Sequence, residues 1–182
     1  MAIIILDRDG VINHQPDGHV TSVDEWNPIS GSIEAMARLS RAGHQLVIAT
    51  NQSGLALGLF DLDDLEAMHA KLRALVEDAG GEVAGIFYCP HTDEDHCRCR
   101  KPNTGLLDAI EAEFDTSLHD CYFVGDQRKD LECAVAKGCK PALVQSGRGE
   151  QTLASLLENP DPGLATTAVF ADLSQFADFV LQ

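Results

Sequence analysis

Apolar residues fall into short continuous runs that alternate with longer stretches in which they recur every three or four positions. The runs at 2–6 (AIIIL), 45–49 (QLVIA), 83–88 (VAGIFY), 121–124 (CYFV) and 141–145 predict buried strands. Between them, Ile33, Met36 and Ala37 mark a helix over 32–42 that stops at Gly43, and Leu65, Met68, Leu72, Leu75 and Val76 mark a second over 62–79. Asp61 is placed to cap that second helix and Gly80-Gly81 to end it. Leu107, Ile110 and Phe114 predict a third helix, and Leu131, Ala134 and Val135 a fourth, closed by Gly138. The remainder predicts a helix near 150–157, a short strand near 167–170 and a last helix near 172–181.

Strand–helix alternation of this length predicts an α/β fold: a three-layer, Rossmann-like parallel sheet with helices on both faces, forming one domain over 1–182. Ligands of such sheets bind beyond the carboxyl ends of the strands. The polar residues obey that rule. Asp7 and Asp9 follow the first strand, Thr50-Asn51-Gln52-Ser53 the second, a Cys/His/basic loop at 89–103 the third, and Gly125-Asp126 the fourth.

One aspartate after a strand is usually a turn or cap residue. Three at successive strand ends form a set of hard oxygen ligands suited to Mg²⁺, which often binds together with a phosphate. With Gly10 turning the chain, one of Asp7 and Asp9 can touch the ion while the other turns toward substrate. A carboxylate is a competent nucleophile at phosphorus, and a second can protonate the leaving oxygen. Thr50 to Gly54 (TNQSG) offers hydroxyl, amide and backbone N–H donors as a phosphate cradle. Lys101 and Arg100 supply positive charge, whereas Arg98 reads as a solvated loop residue.

The second chemical signal is Cys89, His91, Cys97 and Cys99, four ligands within eleven residues. Cys-x-His and Cys-x-Cys pairs can close a tetrahedral zinc site. With no open position such a zinc is structural, bracing the loop and so placing Arg100 and Lys101. His96 is a spare candidate ligand, and Cys121, Cys133 and Cys139 read as core residues.

Charge narrows the function. Thirteen basic against 29 acidic side chains give a net charge of −16, which disfavours nucleic acid and anionic membrane as partners. Against that background Arg98, Arg100 and Lys101 cluster, as do Arg128 and Lys129, and point to a small anionic ligand. No signal peptide or membrane-spanning run is visible, so a cytoplasmic protein with reduced cysteines is expected. No apolar stripe is left unassigned, and a monomer is expected.

These residues resemble the haloacid dehalogenase superfamily of phosphohydrolases. Asp7-Arg8-Asp9-Gly10-Val11 matches its nucleophile motif, and Thr50, Lys101 and Gly125-Asp126-x-x-x-Asp130 match its other motifs in order. Within it, DRDGVIN, TNQSG, the Cys-His-Cys-Cys loop and the Arg-Lys-Pro that follows resemble the D-glycero-D-manno-heptose 1,7-bisphosphate phosphatase family, over residues 3 to 148. The resemblance implies that Asp7 is the nucleophile and Asp9 the general acid/base. It implies Mg²⁺ held by Asp7, the Asp9 backbone carbonyl and Asp126, and zinc held by Cys89, His91, Cys97 and Cys99. Thr50 and Lys101 would stabilise the phosphoryl group. Gly10, Gln15, Asp17, Gly18, Asn51, Gln52, Ser53, Arg100 and Gln127 would bind a small phosphorylated sugar. There is no large cap domain, so loop 13–26 and the zinc loop would shape the pocket. The implied reaction removes the 7-phosphate, in a pathway to ADP- or GDP-heptose for a bacterial surface polysaccharide. Leu57, where the family usually has arginine, and Gln127, where it often has Lys or Ser, depart from the pattern.

Histidinol-phosphate phosphatase is the nearest rival, sharing the aspartates and a short zinc loop. The basic loop favours the bisphosphate over that cationic substrate. A zinc-loop binding module would need no Asp7/Asp9 pair, and a polynucleotide 3′-phosphatase fits poorly with so acidic a chain.

Overall fold

A computed structural model describes residues 2–182. Its strands are β1 (Ile3–Leu6), β2 (Gln45–Asn51), β3 (Gly85–Cys89), β4 (Tyr122–Gly125), β5 (Lys140–Val144) and β6 (Ala168–Phe170). The helices are α1 (Ser32–Arg41), α2 (Leu62–Asp78), α3 (Gly105–Phe114), α4 (Arg128–Ala136), α5 (Gly149–Glu158) and α6 (Leu173–Val180). The strands form one six-stranded sheet in the order β3-β2-β1-β4-β5-β6, every pair parallel.

Successive side chains of a strand point to opposite faces, so a run apolar at every position feeds two cores. Ile4 and Leu6 of β1, Leu46 and Ile48 of β2 and Val124 of β4 join Met36, Leu39, Met68, Leu72 and Phe176 beneath α1, α2 and α6. Ile3, Ile5, Val47, Ala49 and Phe123 instead meet Leu107, Ile110 and Ala134 beneath α3 and α4. A smaller cluster of Leu131, Leu143 and Leu164 seats α5 through Leu153 and Leu156. The three expected layers are present, and among the described residues no inserted element between the strands is large enough to be a cap domain.

Asp61 caps α2 through a reciprocal box with Asp64, and Gly80, at φ 82°, follows its end. Most strand boundaries lie within a residue of the sequence reading, and two differ by two residues. The third strand begins at Gly85 rather than at 83, because Val83 turns into the helical core before the ladder starts. The second strand runs on through Thr50 and Asn51, which pair with Tyr88 and Cys89, so these two residues are strand and not loop. The extension of β2 to Asn51, and of β3 by one residue to Cys89, carries chemistry: the last residues of both strands reach the edge where the polar clusters meet.

Among the described residues, no helix is long and apolar enough to cross a membrane.

Candidate active site

Crossing from β3 to β4 takes the chain over to the far side of β1, so β1 and β4 are neighbours at the point where the strand order reverses. There the Asp7 backbone N–H donates to the Val124 carbonyl over 2.9 Å, and Asp126 lies just past the end of β4. The turn after β1 is wound around the Arg8 carbonyl, which accepts from the backbone of Val11, Ile12 and Asn13. Gly10 takes φ 84°, and a Cβ there would overlap the Asp126 carboxylate, so glycine permits both the turn and the close approach.

Asp7, Asp126 and Asp130 bring carboxylate oxygens within 4.8 Å of one another, all three buried. Lys101, itself 1% exposed, sits among them with Nζ 2.9 Å from Asp7 Oδ1 and 2.7 Å from Asp130 Oδ1, and donates to the Ala49 carbonyl at 2.8 Å. Asp130 also closes a capping box at the start of α4, accepting from the Gln127 N–H. Its Oδ2 is thereby committed, while its buried Oδ1 faces Lys101 as an ion pair and makes no hydrogen bond. Three carboxylates against one ammonium leave two negative charges in the cluster, the charge of one divalent cation. Burial pushes Asp7 up to about 6, and burial with Asp7 and Asp130 nearby pushes Asp126 up to about 8. Asp126 Oδ2 accepts from the Arg148 N–H, but its buried Oδ1 has no donor. An orphaned hard oxygen beside an under-compensated carboxylate is what a Mg²⁺ ligand set looks like without its ion. The residues fit that ion.

Asp9 is treated differently. Its Oδ1 accepts from Arg8 Nε and from Asn13 Nδ2, each at 2.9 Å, and its Oδ2 from Gln52 Nε2 at 3.0 Å. Burial pushes the Asp9 carboxyl up, but Arg8, Asn13 and Gln52 outweigh it and hold the group below its ordinary value. Gln52 also donates to Thr50 Oγ1, which leaves the threonine hydroxyl hydrogen free for another acceptor.

A cavity of about 230 Å³ opens over these groups. Of the sequence-predicted residues, Asp7, Asp9, Gln15, Gly18, Asn51, Gln52, Ser53, Arg100, Lys101 and Gln127 line it. Thr50, Gly10 and Asp126 are buried behind the wall. Asp17 is a correction: it is exposed on loop 13–26 and does not line the cavity, because the neighbouring Gly18 presents its backbone instead. The basic pair at 128–129 divides. Lys129 lines the cavity, whereas Arg128 turns away to Glu132 and Asp161. His19, Val20 and Arg148 also line it and were not expected. His19 has a visible role in the rim, since its Nε2 meets Ser53 Oγ at 3.0 Å and ties loop 13–26 to the loop after β2. Leu57 is exposed and outside the cavity, as is Arg98.

Beside the cavity, Cys89, His91, Cys97 and Cys99 converge. The Sγ–Sγ separations run from 3.1 to 3.6 Å and the His91 Nδ1–Sγ separations are 3.3 and 3.6 Å. The edges of a tetrahedron with metal–ligand bonds of about 2.0–2.3 Å are roughly 3.3–3.8 Å. The cysteines are free thiols, much too far apart to be bonded, and the donor set fits zinc with no position left open. Burial pushes Cys89 up to about 12, while donors from Arg100 N–H and the neighbouring thiols outweigh burial at Cys97 and bring it down to about 7. His96 stays out of the cluster, exposed, with φ 48°. Cys133 and Cys139 are core residues as expected, and Cys121 is half-buried. The cluster also places Arg100, whose N–H reaches Cys97 Sγ at 3.3 Å and whose Nη1 reaches the His91 carbonyl at 3.3 Å.

The HAD-hydrolase-like family model matches residues 98–175. The D-glycero-beta-D-manno-heptose-1,7-bisphosphate 7-phosphatase of Pseudomonas putida is 50% identical over 97% of this chain and 98% of its own length. That of Escherichia coli is 36% identical over 80% of each. The crystal structure of D,D-heptose 1,7-bisphosphate phosphatase from B. bronchiseptica, complexed with magnesium and phosphate, superposes with a TM-score of 0.94 at 46% identity, covering 100% of this chain and 99% of that one. With the strand-end carboxylates, the buried lysine and the Cys/His cluster already in place, identity of this extent along the whole chain shows that it belongs to the heptose 1,7-bisphosphate 7-phosphatase family of HAD-like hydrolases.

Proposed function

We propose that this chain is a Mg²⁺-dependent phosphomonoester hydrolase that removes the 7-phosphate from D-glycero-beta-D-manno-heptose 1,7-bisphosphate. The observation that carries the substrate class is the charge of the cavity wall. Arg100, Lys101, Lys129 and Arg148 line a pocket in a chain of net charge −16. Such a wall attracts a molecule with two phosphates and repels the ammonium of histidinol phosphate. The relatives' names point the same way, and to the beta anomer.

The Asp7 and Asp126 carboxylates with the Asp9 backbone carbonyl would hold Mg²⁺, which supplies charge neutralisation to the oxygens of the transferring phosphoryl group. Asp7, kept ionised by Lys101, attacks phosphorus, and the bond from phosphorus to the sugar oxygen breaks. Asp9 gives a proton to that oxygen through Oδ2, its less encumbered atom, where only Gln52 donates. Arg8 holds Asp9 acidic. Arrival of an anionic phosphate opposes that effect and favours the protonated acid. In the second half Asp9 takes a proton from water, the water oxygen bonds to phosphorus, and the aspartyl–phosphorus bond breaks to release phosphate and restore Asp7. The Thr50 hydroxyl and the Lys101 ammonium donate to the phosphoryl oxygens, and Arg100 and Lys129 bind the rest of the substrate. Zinc at Cys89, His91, Cys97 and Cys99 braces the loop that carries Arg100 and Lys101.

We further propose that residues 1–182 work as one phosphatase domain, monomeric and cytoplasmic, serving the synthesis of nucleotide-activated heptose for a surface polysaccharide. Six free thiols suit a reducing compartment. Steady-state rates on the two anomers of the bisphosphate and on histidinol phosphate test the substrate. The beta bisphosphate is expected to give the highest kcat/KM, and a higher value for histidinol phosphate would overturn the proposal.

A further inference from the structure

Arg8 is the largest polar side chain sealed into the molecule, with 0% exposure, and it lies between the two aspartates of the turn. A guanidinium has five N–H donors and no acceptor, so a buried one must be surrounded by acceptors. Two directions face Asp9, whose Oδ1 accepts a hydrogen bond from Nε at 2.9 Å and is the ion-pair partner of Nη2 at 2.9 Å, although Nη2 makes no hydrogen bond. The third is covered from α2, where His69 Nε2 stands 3.2 Å from Arg8 Nη1.

Arginine can only donate in that contact. His69 Nε2 is therefore an unprotonated acceptor, and the ring carries its proton on Nδ1. Its surroundings agree: burial and the charges of Arg8 and Arg73 disfavour an imidazolium more than Asp9 favours one. The ring lies tilted against Tyr88 of β3 at 6.2 Å between centroids, which limits its rotation. The same helix turn holds the pocket rim. Lys71 donates to the carbonyls of Val23 at 3.0 Å and Trp26 at 2.6 Å, at the end of loop 13–26.

We propose that His69 is a positioning residue for the phosphatase reaction: as a neutral acceptor it fixes the Arg8 guanidinium, which in turn fixes the Asp9 carboxylate with Oδ1 turned inward and Oδ2 left for the substrate. This rests on the assignment of Asp9 as general acid/base. Arg8 concentrates its donors on Oδ1, so the two oxygens of Asp9 are inequivalent before substrate arrives. Without an acceptor at His69, Nη1 has no partner in that wall, and the guanidinium can swing to find one and carry Asp9 with it. The effect falls on the proton-transfer geometry and leaves the phosphate-binding groups Arg100, Lys101 and Lys129 in place.

Two variants separate positioning from packing. His69→Gln keeps an acceptor oxygen in reach of Arg8, and His69→Leu fills similar space without one. With Mg²⁺ and the heptose bisphosphate, His69→Leu should lose roughly tenfold or more in kcat with KM within about twofold, and His69→Gln should recover most of it, a modest part of the 10²–10⁴ that general acid–base catalysis contributes. Nitrogen NMR of the magnesium-loaded wild type should show His69 as the Nδ1–H tautomer, a readout independent of turnover. Equal losses in both variants accompanied by equal falls in melting temperature would make His69 a packing residue and overturn the proposal. So would an unchanged kcat in His69→Leu, or an Nε2–H tautomer. If the wild type failed to hydrolyse the bisphosphate, the substrate assignment would fall, while the tautomer would still decide the Arg8 contact.

Discussion

Lys101 Nζ stands 2.9 Å from Asp7 Oδ1, and both side chains are almost wholly enclosed. In the proposed reaction the buried ammonium beside the Asp7 carboxylate has two tasks in succession. It favours the ionised carboxylate against the burial that raises its pKa, and it would face the phosphoryl oxygens afterwards. Burial opposes the charged form of Lys101, yet Asp130 and Asp7 more than compensate and raise its pKa. In the proposed reaction the lysine acts as a fixed positive charge, and Asp9 supplies the proton.

Replacing each partner should therefore have unlike effects on folding. Asp7→Asn removes the nucleophile and one of the crowded carboxylates. Phosphate release should fall by about 10³-fold or more with the melting temperature nearly unchanged. Lys101→Met leaves Asp7 and Asp130 buried without a counter-charge, which costs about 3–5 kcal/mol in comparable cases. Phosphate assays alongside thermal melts check both; retained turnover in Asp7→Asn would refute the covalent route.

Removing a zinc ligand should act at a distance. Cys97→Ser deletes one vertex of the cluster and the acceptor for the Arg100 N–H. Bound zinc should fall, and kcat/KM should drop about 10–100-fold, as losses around metal sites commonly do. Elemental analysis of the purified protein, followed by kinetics, decides it. Full activity at zero zinc would separate the cluster from catalysis.

Stability should depend on pH and magnesium together. An unfolded aspartate titrates near 3.8, whereas without metal Asp7 is raised to about 6 and Asp126 to about 8. Between those limits the folded chain holds protons that the unfolded chain has released, so these two groups make stability fall as pH rises from about 4 to 8. Mg²⁺ binds the ionised carboxylates and opposes that loss. It should raise the melting temperature clearly at pH 8 and little at pH 5. His69 has the opposite slope: lowered to about 3, it costs stability as pH drops below 6.5, with or without the ion. Melting curves at the two pH values with and without Mg²⁺ test this, and an equal magnesium shift at both would contradict it.

Substrate affinity should be sensitive to Lys129. The side chain lines the cavity, and burial lowers its pKa. Lys129→Ala should raise KM for the bisphosphate about tenfold, corresponding to about 1.4 kcal/mol, with a smaller change in kcat. Arg128→Ala, one residue away but paired outward with Glu132 and Asp161, should change neither.

That contrast also marks how far the sequence could be read. Asp7, Asp9 and Asp126 were legible because each lies within three residues of the end of an apolar run, and strand ends in a parallel sheet share one edge. The Cys/His cluster was legible because its ligands are close in sequence. Arg148 and His19 were not, since each is one polar residue among several in a loop whose course depends on tertiary packing. Asp17 was misplaced for the same reason: lying in the correct loop does not determine which way a side chain turns. Arg8 stood in plain view between the aspartates, but its acceptor lies 61 residues away on α2. Val83 misled because its apolar character serves the helical core and not the sheet.

The adjacency of β1 and β4 has a consequence for how the molecule comes apart. Asp7 and Asp126 are distant along the chain, and between them lie β2, β3 and the helices that connect them. An ion held by both, as proposed, would act as a clasp on the part of the sheet formed by β1, β2 and β3, so local fraying would not release it while β1 and β4 stay paired. Saturating magnesium should then slow amide exchange in these two central strands as a unit, and leave the outer strand β6 to open at its own pace.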